Sequence, residues 1–192
     1  MGQYFKAALV DNEWKVKVIN LNWWKLMEHS WYWNRSMMRV EKLLYRDAMN
    51  VYWIGDYSVM SAMVWKHKFE DEEEKMRWDK NYTDDEILQR KEWDNYYLVN
   101  HFSKEFINMT KQENNKDLQN DYGWVVHPLS LLTESETETA WWWYYSDVGR
   151  EYIWKWCWDM ISVYHWDDWV ELEPWLEEKW FKDMTDIYFF KE

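Results

Sequence analysis

The balance between tryptophan and glycine constrains this chain more than any other feature. Its 192 residues include 20 tryptophans but only 4 glycines. A packed tryptophan buries roughly 150–250 Å², so the whole set needs roughly 3,000–5,000 Å² of cover. A chain of this length buries on the order of 25,000 Å² on folding, so one core can hold most of them. Turns must rely on residues other than glycine, and asparagine is the natural substitute.

The tryptophans divide into two groups by their positions along the chain. One group falls within predicted strands, where burial in a sheet accounts for its members: Trp14, Trp53, Trp124, Trp156 and Trp158. The other group includes runs of neighbours, Trp23-Trp24 and Trp141-Trp142-Trp143. Successive side chains of a strand point to opposite faces, so these runs cannot all point inward from a strand that is buried on one side.

Charge and cysteine content narrow the class of protein. Lys and Arg number 23 against 36 Asp and Glu, a formal charge of −13, which disfavours direct binding to nucleic acid. The acidity either keeps an aromatic-rich chain soluble or mimics nucleic acid towards a partner. The single Cys157 excludes an intramolecular disulfide and favours a reducing compartment. With no signal peptide and no apolar run that could span a membrane, we expect a cytoplasmic protein without membrane contact.

Periodicity predicts the N-terminal half as a hairpin, helices and a strand. Gln3–Val10 and Trp14–Asn20 have the composition of paired strands around a polar turn. Asn34 is a predicted cap for a helix that runs to about Arg46. A strand over Val51–Asp56 and a helix over Ser58–Phe69 follow.

The C-terminal half is predicted to add strands and two further helices. Thr83 begins a capping-box pattern before a short helix. Four segments have strand or loop patterns: paired strands at Tyr96–Phe102 and Glu105–Thr110, a loop at Lys111–Asp121, an interrupted strand at Trp124–Leu132 and a long strand at Tyr152–Tyr164. Pro174 suits the first turn of a last helix that includes Ile187.

These elements predict an α+β fold. An antiparallel sheet, built from the N-terminal hairpin with the central and C-terminal strands, is covered by about three or four helices. We expect one domain over residues 1–192, with a C-terminal helical appendage at 171–192.

The sequence contains no motif that identifies an enzyme or a cofactor. Phosphate loops, dinucleotide fingerprints and paired-cysteine zinc spacings are absent, so no cofactor is expected. The weak catalytic candidates are residues at predicted strand ends: Glu28, His29, Asp56, His101 and His127. If they converge, the three histidines can bind a metal or the set can perform acid–base chemistry. The alternative is that each histidine is a structural hydrogen-bonding group.

Several ordered blocks resemble a family of uncharacterised proteins from bacteriophages, prophages and gut Firmicutes. The blocks are Met1–Tyr4, Lys25–Ser30, Trp53–Tyr57, Leu98–His101, Gly123–Thr133 and Trp156–Val163. The resemblance implies a phage-associated setting but no biochemical activity. Where the family pattern has glycine, this chain has Trp23, Trp33 and the run Trp141–Trp143. A tryptophan is strained at any of these positions where the backbone has positive φ.

Two classes of function follow from these features. The favoured one is an interaction module that binds a host or phage protein, as in counter-defence, because exposed tryptophans dominate binding hot spots. Its predicted surface comprises Trp23, Trp33 and Trp141–Trp143, and a homodimer through exposed aromatics is another form of it. The second class is an enzyme or metal-binding protein that uses the histidine and carboxylate set. A third account is an engineered or computationally altered sequence without a native function.

Overall fold

A computed structural model describes residues 5–19, 29–55, 82–90, 95–119, 124–135, 152–165, 175–176 and 178–186. Its strands are β1 (Phe5–Val10), β2 (Val16–Ile19), β3 (Met49–Gly55), β4 (Tyr96–Asn100), β5 (Glu105–Asn108), β6 (Glu134–Ser135), β7 (Met160–His165) and β8 (Lys182–Asp183). Its helices are α1 (Arg35–Leu44), α2 (Met109–Glu113) and α3 (Pro128–Leu132), with a 3₁₀ turn at Lys116–Leu118. The predicted α+β fold is confirmed.

All eight strands form one mixed, mostly antiparallel sheet. The order is β2-β1-β3-β7-β4-β5-β8, and β6 pairs with β3 beside this path. The β6–β3 and β5–β8 pairs are parallel, whereas the other pairs are antiparallel. The predicted N-terminal hairpin and the predicted pairing of β4 with β5 are confirmed within the described residues.

Both faces of the sheet are covered because its strands are apolar at successive positions. On one face Leu9, Val51 and Trp53 join the main core, to which the helices contribute. On the other face Ala8, Tyr52 and Ile54 form a smaller cluster. Strands that are buried on both faces have near-continuous apolar runs, which explains why alternation is weak in this sequence.

Helix α1 follows the sequence closely. The side chain of Asn34 accepts the N–H of Ser36 and caps the helix, as predicted. Met37, Val40 and Leu44 recur at helical spacing and are fully buried. Glu41 lies on the same buried face, so this helix carries a carboxylate into the core.

Two segments, a polar one predicted as a loop and an apolar one predicted as a strand, contain helices instead. The expected loop at Lys111–Asp121 contains the end of α2 and the 3₁₀ turn, capped by Asn108 and Asn115. In the expected strand at Trp124–Leu132, Val125 and Val126 make only isolated bridges. Its second half, Pro128–Leu132, is α3, because Pro128 occupies the first helical turn and the side chain of His127 caps it. The prediction gave Pro128 the role of a strand interruption when it starts a helix.

The long strand predicted at Tyr152–Tyr164 is wrong in its first half. Only Met160–His165 is a strand. Residues 152–159 form consecutive turns, in which the N–H groups of Lys155 and Cys157 donate to the carbonyls of Tyr152 and Trp154. Tryptophan at every second position, 154, 156 and 158, is typical of a strand with one aromatic face, yet of these three only Trp156 is buried.

Two predicted helices do not extend as the patterns indicated. Glu86 accepts the N–H of Thr83 in the capping geometry, but only a turn follows, and the N–H of Leu88 donates to Met38 of α1. The last helix was predicted to include Met184 and Ile187, whereas β8 pairs with β5 at Lys182. Ahead of β8, Leu176 packs against the second face of the sheet.

The predicted helix over Ser58–Phe69 lies outside the described residues. Among the residues that the structure describes, no helix is long and apolar enough to cross a membrane.

Candidate functional site

His127 belongs to a buried polar network in the main core. Its Nε2 lies 2.7 Å from Oε1 of Glu41, and both side chains are fully buried. Its Nδ1 accepts the backbone N–H of Leu129 at 3.2 Å, which caps α3. Since Nδ1 is an acceptor, the proton of the neutral ring is assigned to Nε2, which donates to Glu41. Neither ring nitrogen is open to a substrate.

The electrostatics of the same network favour a neutral imidazole. Burial lowers the pKa of His127, and this effect outweighs the hydrogen bond that the ring donates to Glu41 and the negative charge of Glu41, which both act to raise it. The positive charge of Arg90 acts in the same direction as burial. His127 is therefore a structural hydrogen-bonding group, the alternative that the sequence left open.

Arg90 joins α1, α2 and the segment around Tyr32. Its Nε lies 3.4 Å from Oε2 of Glu41, and an Nη donates to Glu113 at 2.9 Å. Its second Nη donates to the carbonyl of Tyr32 at 2.7 Å. The guanidinium lies 5.2 Å from the ring of Trp33, where a cation–π contact is favourable.

Trp33 is therefore partly a member of this network. Its side chain is half exposed, and it hydrogen-bonds Glu113, whose pKa is raised mainly by burial. Its φ is not positive, so the strain considered for this position does not arise.

His101 takes part in a second cluster at the ends of β4 and β7. Its Nε2 lies 2.7 Å from Oγ of Ser162, and burial lowers its pKa. Asn100, the residue before His101, pairs with Ile161 of β7, and its side-chain amide donates to Asp159 at 2.8 Å. Burial raises the pKa of Asp159. In composition the cluster resembles the serine and histidine of a hydrolase.

The geometry of this second cluster does not fit nucleophilic catalysis. Ser162 is fully buried, so a substrate carbonyl cannot reach its hydroxyl in this conformation. The neighbouring N–H groups of Phe102 and Ser103 already donate to Oδ1 of Asn100, so they cannot bind an oxyanion. The residues instead fix the β4–β5 turn and the start of β7.

Glu105 ties the turn to the segment before β7. It accepts hydrogen bonds from Lys155 and, at 2.7 Å, from Nε1 of the buried Trp156. Burial acts to raise the pKa of Glu105, but these bonds and one from Ser103 outweigh it, and the pKa is lowered. This ion pair holds residues 152–159 in place.

The predicted histidine site is not assembled. His29 contacts the ring of Trp31 at 5.9 Å between centroids, whereas His101 and His127 bond to Ser162 and Glu41. Among the described residues, no group of three or more His, Cys, Asp or Glu side chains could hold a metal ion. Glu28 and Asp56 lie outside the described residues.

Exposed aromatic side chains gather at one end of the sheet. The strand register places three connections at this end: residues 101–104 between β4 and β5, 152–159 before β7 and 178–181 before β8. Their exposed aromatic residues have the following exposed fractions: Phe102 81%, Trp154 53%, Trp158 54% and Trp180 88%. We call this set the aromatic end.

The three tryptophans of the aromatic end, and Trp14 in the β1–β2 turn at the other end of the sheet, all have left-handed backbone conformations. Their φ values are 63° for Trp14, 59° for Trp154, 74° for Trp158 and 61° for Trp180. Such a conformation is costly for a bulky residue and ordinary for glycine. The strain that the sequence suggested for glycine-like positions therefore occurs, but at tryptophans other than those predicted.

Trp14 shows why glycine suits these positions. The N–H of Trp14 donates to the carbonyl of Asp11, and the N–H of Asp11 donates to Lys15. This is a tight turn followed by a left-handed residue, the bulge position where hairpins favour glycine. The side chain of Asp11 also accepts the N–H groups of Glu13 and Lys15, which stabilises the turn despite Trp14.

Trp158 is exposed but firmly held. Its ring packs edge-on against Tyr52 at 4.0 Å between centroids, and its carbonyl accepts a hydrogen bond from Asn50 at 2.7 Å. Burial raises the pKa of Tyr52 to about 12, so this phenol stays neutral. The aromatic end is therefore anchored to the second face of the sheet.

Most of the exposed aromatic residues are not predicted from the sequence pattern. The pattern assigns Trp14 and Trp158 to buried strands and does not select Phe102, Trp154 or Trp180. The polar run Asp11-Asn12-Glu13 indicates a turn, and the tryptophan directly after it is therefore expected at the end of that turn and not inside a strand. Trp23 and Trp141–Trp143, the other members of the predicted surface, lie outside the described residues.

No family profile, characterised protein or solved structure matches this chain.

Proposed function

We propose that this chain is a small protein-interaction module that binds another protein through the aromatic end. The observation that carries the proposal is the gathering of four exposed aromatic side chains, Phe102, Trp154, Trp158 and Trp180, in the connections at one end of the sheet. Large exposed apolar patches mark interaction sites on soluble proteins. Tryptophan and tyrosine also dominate binding hot spots because they bury much area with few rotatable bonds.

Backbone strain supports the same proposal. The three tryptophans of the aromatic end occupy conformations that cost of order 1–3 kcal/mol each, although glycine would fit them without cost. Each of their rings is at least half exposed in the folded monomer. Contact with a partner would offset the cost by burying the rings.

The buried clusters favour binding over catalysis. His127 and Glu41 are enclosed in the core, and the hydroxyl of Ser162 is inaccessible. Glu41, Arg90 and Glu113 form a buried network, and the ring of His101 bonds to the buried Ser162. The cytoplasmic, phage-associated setting is part of the proposal and rests on the cysteine content and the sequence blocks alone.

Affinity capture from a bacterial lysate, followed by binding assays with each purified partner, tests the proposal. The four-site variant replaces Phe102 with alanine and Trp154, Trp158 and Trp180 with glycine, which removes the rings and also relieves the backbone at the three tryptophans. Loss of binding therefore cannot be attributed to strain in the variant. The control is Trp124→Ala, because Trp124 is half exposed but lies away from the aromatic end, against Trp31 at 5.1 Å.

We expect a partner that binds the wild type and the control alike and binds the four-site variant at least tenfold more weakly. If every captured partner binds the four-site variant as tightly as the wild type, the aromatic end is not the binding surface and the proposal is wrong.

A further inference from the structure

The buried network around His127 includes polar atoms that protein groups do not satisfy. Within the part of the chain that the structure describes, Oγ of Ser30, Oε2 of Glu41 and Nε of Arg90 are buried and make no hydrogen bond to a protein group. All three residues are more than nine-tenths buried. An unpaired buried polar group is costly, so such groups in folded proteins are usually paired with protein or with ordered water.

The side chain of Ser30 faces the same interior as that of His127. Trp31 and Val126 form an antiparallel bridge, and the N–H of His127 donates to the carbonyl of Ser30 at 2.8 Å. Residues directly opposite in such a pairing have side chains on the same face, with Cβ atoms about 4.5–5.5 Å apart. The contact between the rings of Tyr32 and His127, 4.7 Å between centroids, agrees with this direction. The hydroxyl of Ser30 therefore lies on the side of the pairing that holds the imidazole.

Glu41 and Arg90 face each other in this interior without a hydrogen bond. Oε1 of Glu41 bonds to His127 at 2.7 Å, whereas Oε2 has the Nε of Arg90 at 3.4 Å. That separation allows Coulomb attraction but exceeds the usual range of about 2.7–3.2 Å for an N–H···O bond. The two Nη atoms of Arg90 already donate to Glu113 and to the carbonyl of Tyr32, so the orientation of the guanidinium is fixed.

A single water molecule matches these three atoms in number and in kind. The Nε–H of Arg90 is a donor, the oxygen of Glu41 is an acceptor, and the hydroxyl of Ser30 can act as either. A water that accepts from Arg90, donates to Glu41 and bonds to Ser30 makes about three hydrogen bonds, the usual number for an internal water. A metal cation does not match, because the guanidinium repels it and offers it no lone pair.

We propose that Ser30, Glu41 and Arg90 bind an internal water molecule beside His127. The water connects the segment before α1, α1 itself and the segment that ends at Arg90, through atoms that protein groups leave unsatisfied. The site is separate from the aromatic end, so the inference does not depend on the proposed function.

NMR cross-relaxation between water and the isotope-labelled full chain tests the inference at the Nε–H of Arg90. A buried, protected proton exchanges slowly with solvent, so its own resonance is observed. We expect a cross-peak at the water frequency with the sign of a rigidly held water. Ser30→Ala is the matched variant, because an exchanging hydroxyl can imitate a bound water. The cross-peak should persist in Ser30→Ala, since Glu41 and Arg90 still hold the water.

A crystal structure provides the second measurement. Electron density for the water should lie about 2.7–3.2 Å from both Nε of Arg90 and Oε2 of Glu41. The inference is overturned if the Arg90 resonance shows no cross-peak with water, or if Ser30→Ala abolishes the cross-peak while its melting temperature stays at the wild-type value. Direct contact between Nε and Oε2 in the crystal, with no density beside them, would overturn it as well.

Discussion

At the scale of single residues, the backbone conformation of Trp14, Trp154, Trp158 and Trp180 is the most informative feature of this molecule. A side chain of that size in the left-handed region is unusual once, and here it occurs four times at exposed positions. This conformation costs stability, and each of the four rings is at least half exposed in the monomer.

Substitution by glycine should measure the cost directly. We expect Trp14→Gly and Trp180→Gly each to raise the free energy of unfolding by about 1 kcal/mol, because glycine adopts positive φ without steric conflict. Urea denaturation monitored by circular dichroism gives the value. Trp14→Ala is the matched control, since it removes the ring but keeps a Cβ, and it should give no comparable gain. Equal effects of glycine and alanine would show that strain is not the cause.

At the scale of elements, the buried network of Glu41, Arg90 and Glu113 connects α1, the segment before β4 and α2. A buried cation that is removed leaves its carboxylates uncompensated, which is more costly than the loss of an exposed pair. Arg90→Met should therefore lower the free energy of unfolding by about 3–5 kcal/mol. Exposed Lys15→Met is the control and should change it by less than about 1 kcal/mol. A small effect of Arg90→Met would mean that the network is not tightly formed.

The His127 cap of α3 predicts a pH dependence. Burial lowers the pKa of His127 below its ordinary 6.5, so the unfolded chain binds this proton more readily than the folded protein. Stability is therefore lost as pH falls below about 6.5, by up to about 1.4 kcal/mol per pH unit for one proton. His127→Asn keeps a capping oxygen but cannot be protonated there.

The measurement compares the two proteins in urea between about pH 7.5 and 5.5. His127→Asn should be less stable at the higher pH, because Glu41 loses its hydrogen bond, yet lose less stability on acidification than the wild type. Both proteins retain His101, whose pKa is also lowered by burial, so the difference between them isolates His127. Parallel pH profiles would contradict the structural role of this histidine.

Particular elements show how far the sequence predicts the fold. Helix α1 and the β1–β2 hairpin were predictable, because Asn34 is a strong cap and a polar turn separates two aromatic-rich runs. The segment 152–159 was not, since alternating tryptophans favour a strand locally while contacts with Glu105 and α3 impose turns. Histidine positions were equally ambiguous, as only tertiary structure brings Glu41 next to His127 and Ser162 next to His101.

At the scale of the whole molecule, the exposed aromatic residues are not evenly distributed. Phe102, Trp154, Trp158 and Trp180 lie in three connections at one end of the sheet. The sheet supports these connections, and the contacts of Asn100 and Glu105 fix two of them, residues 101–104 and 152–159. A preorganised surface loses less conformational entropy on binding than a flexible one.

Fluorine NMR of chain labelled with 5-fluorotryptophan tests the central claim most directly, because it reports on each indole separately. Single substitutions assign the resonances. As a purified partner is added, the resonances of Trp154, Trp158 and Trp180 should shift together, while those of the half-exposed Trp33 and Trp124 stay constant. Three resonances that do not move, or that move no more than those of Trp33 and Trp124, would contradict the assignment of the aromatic end as the binding surface.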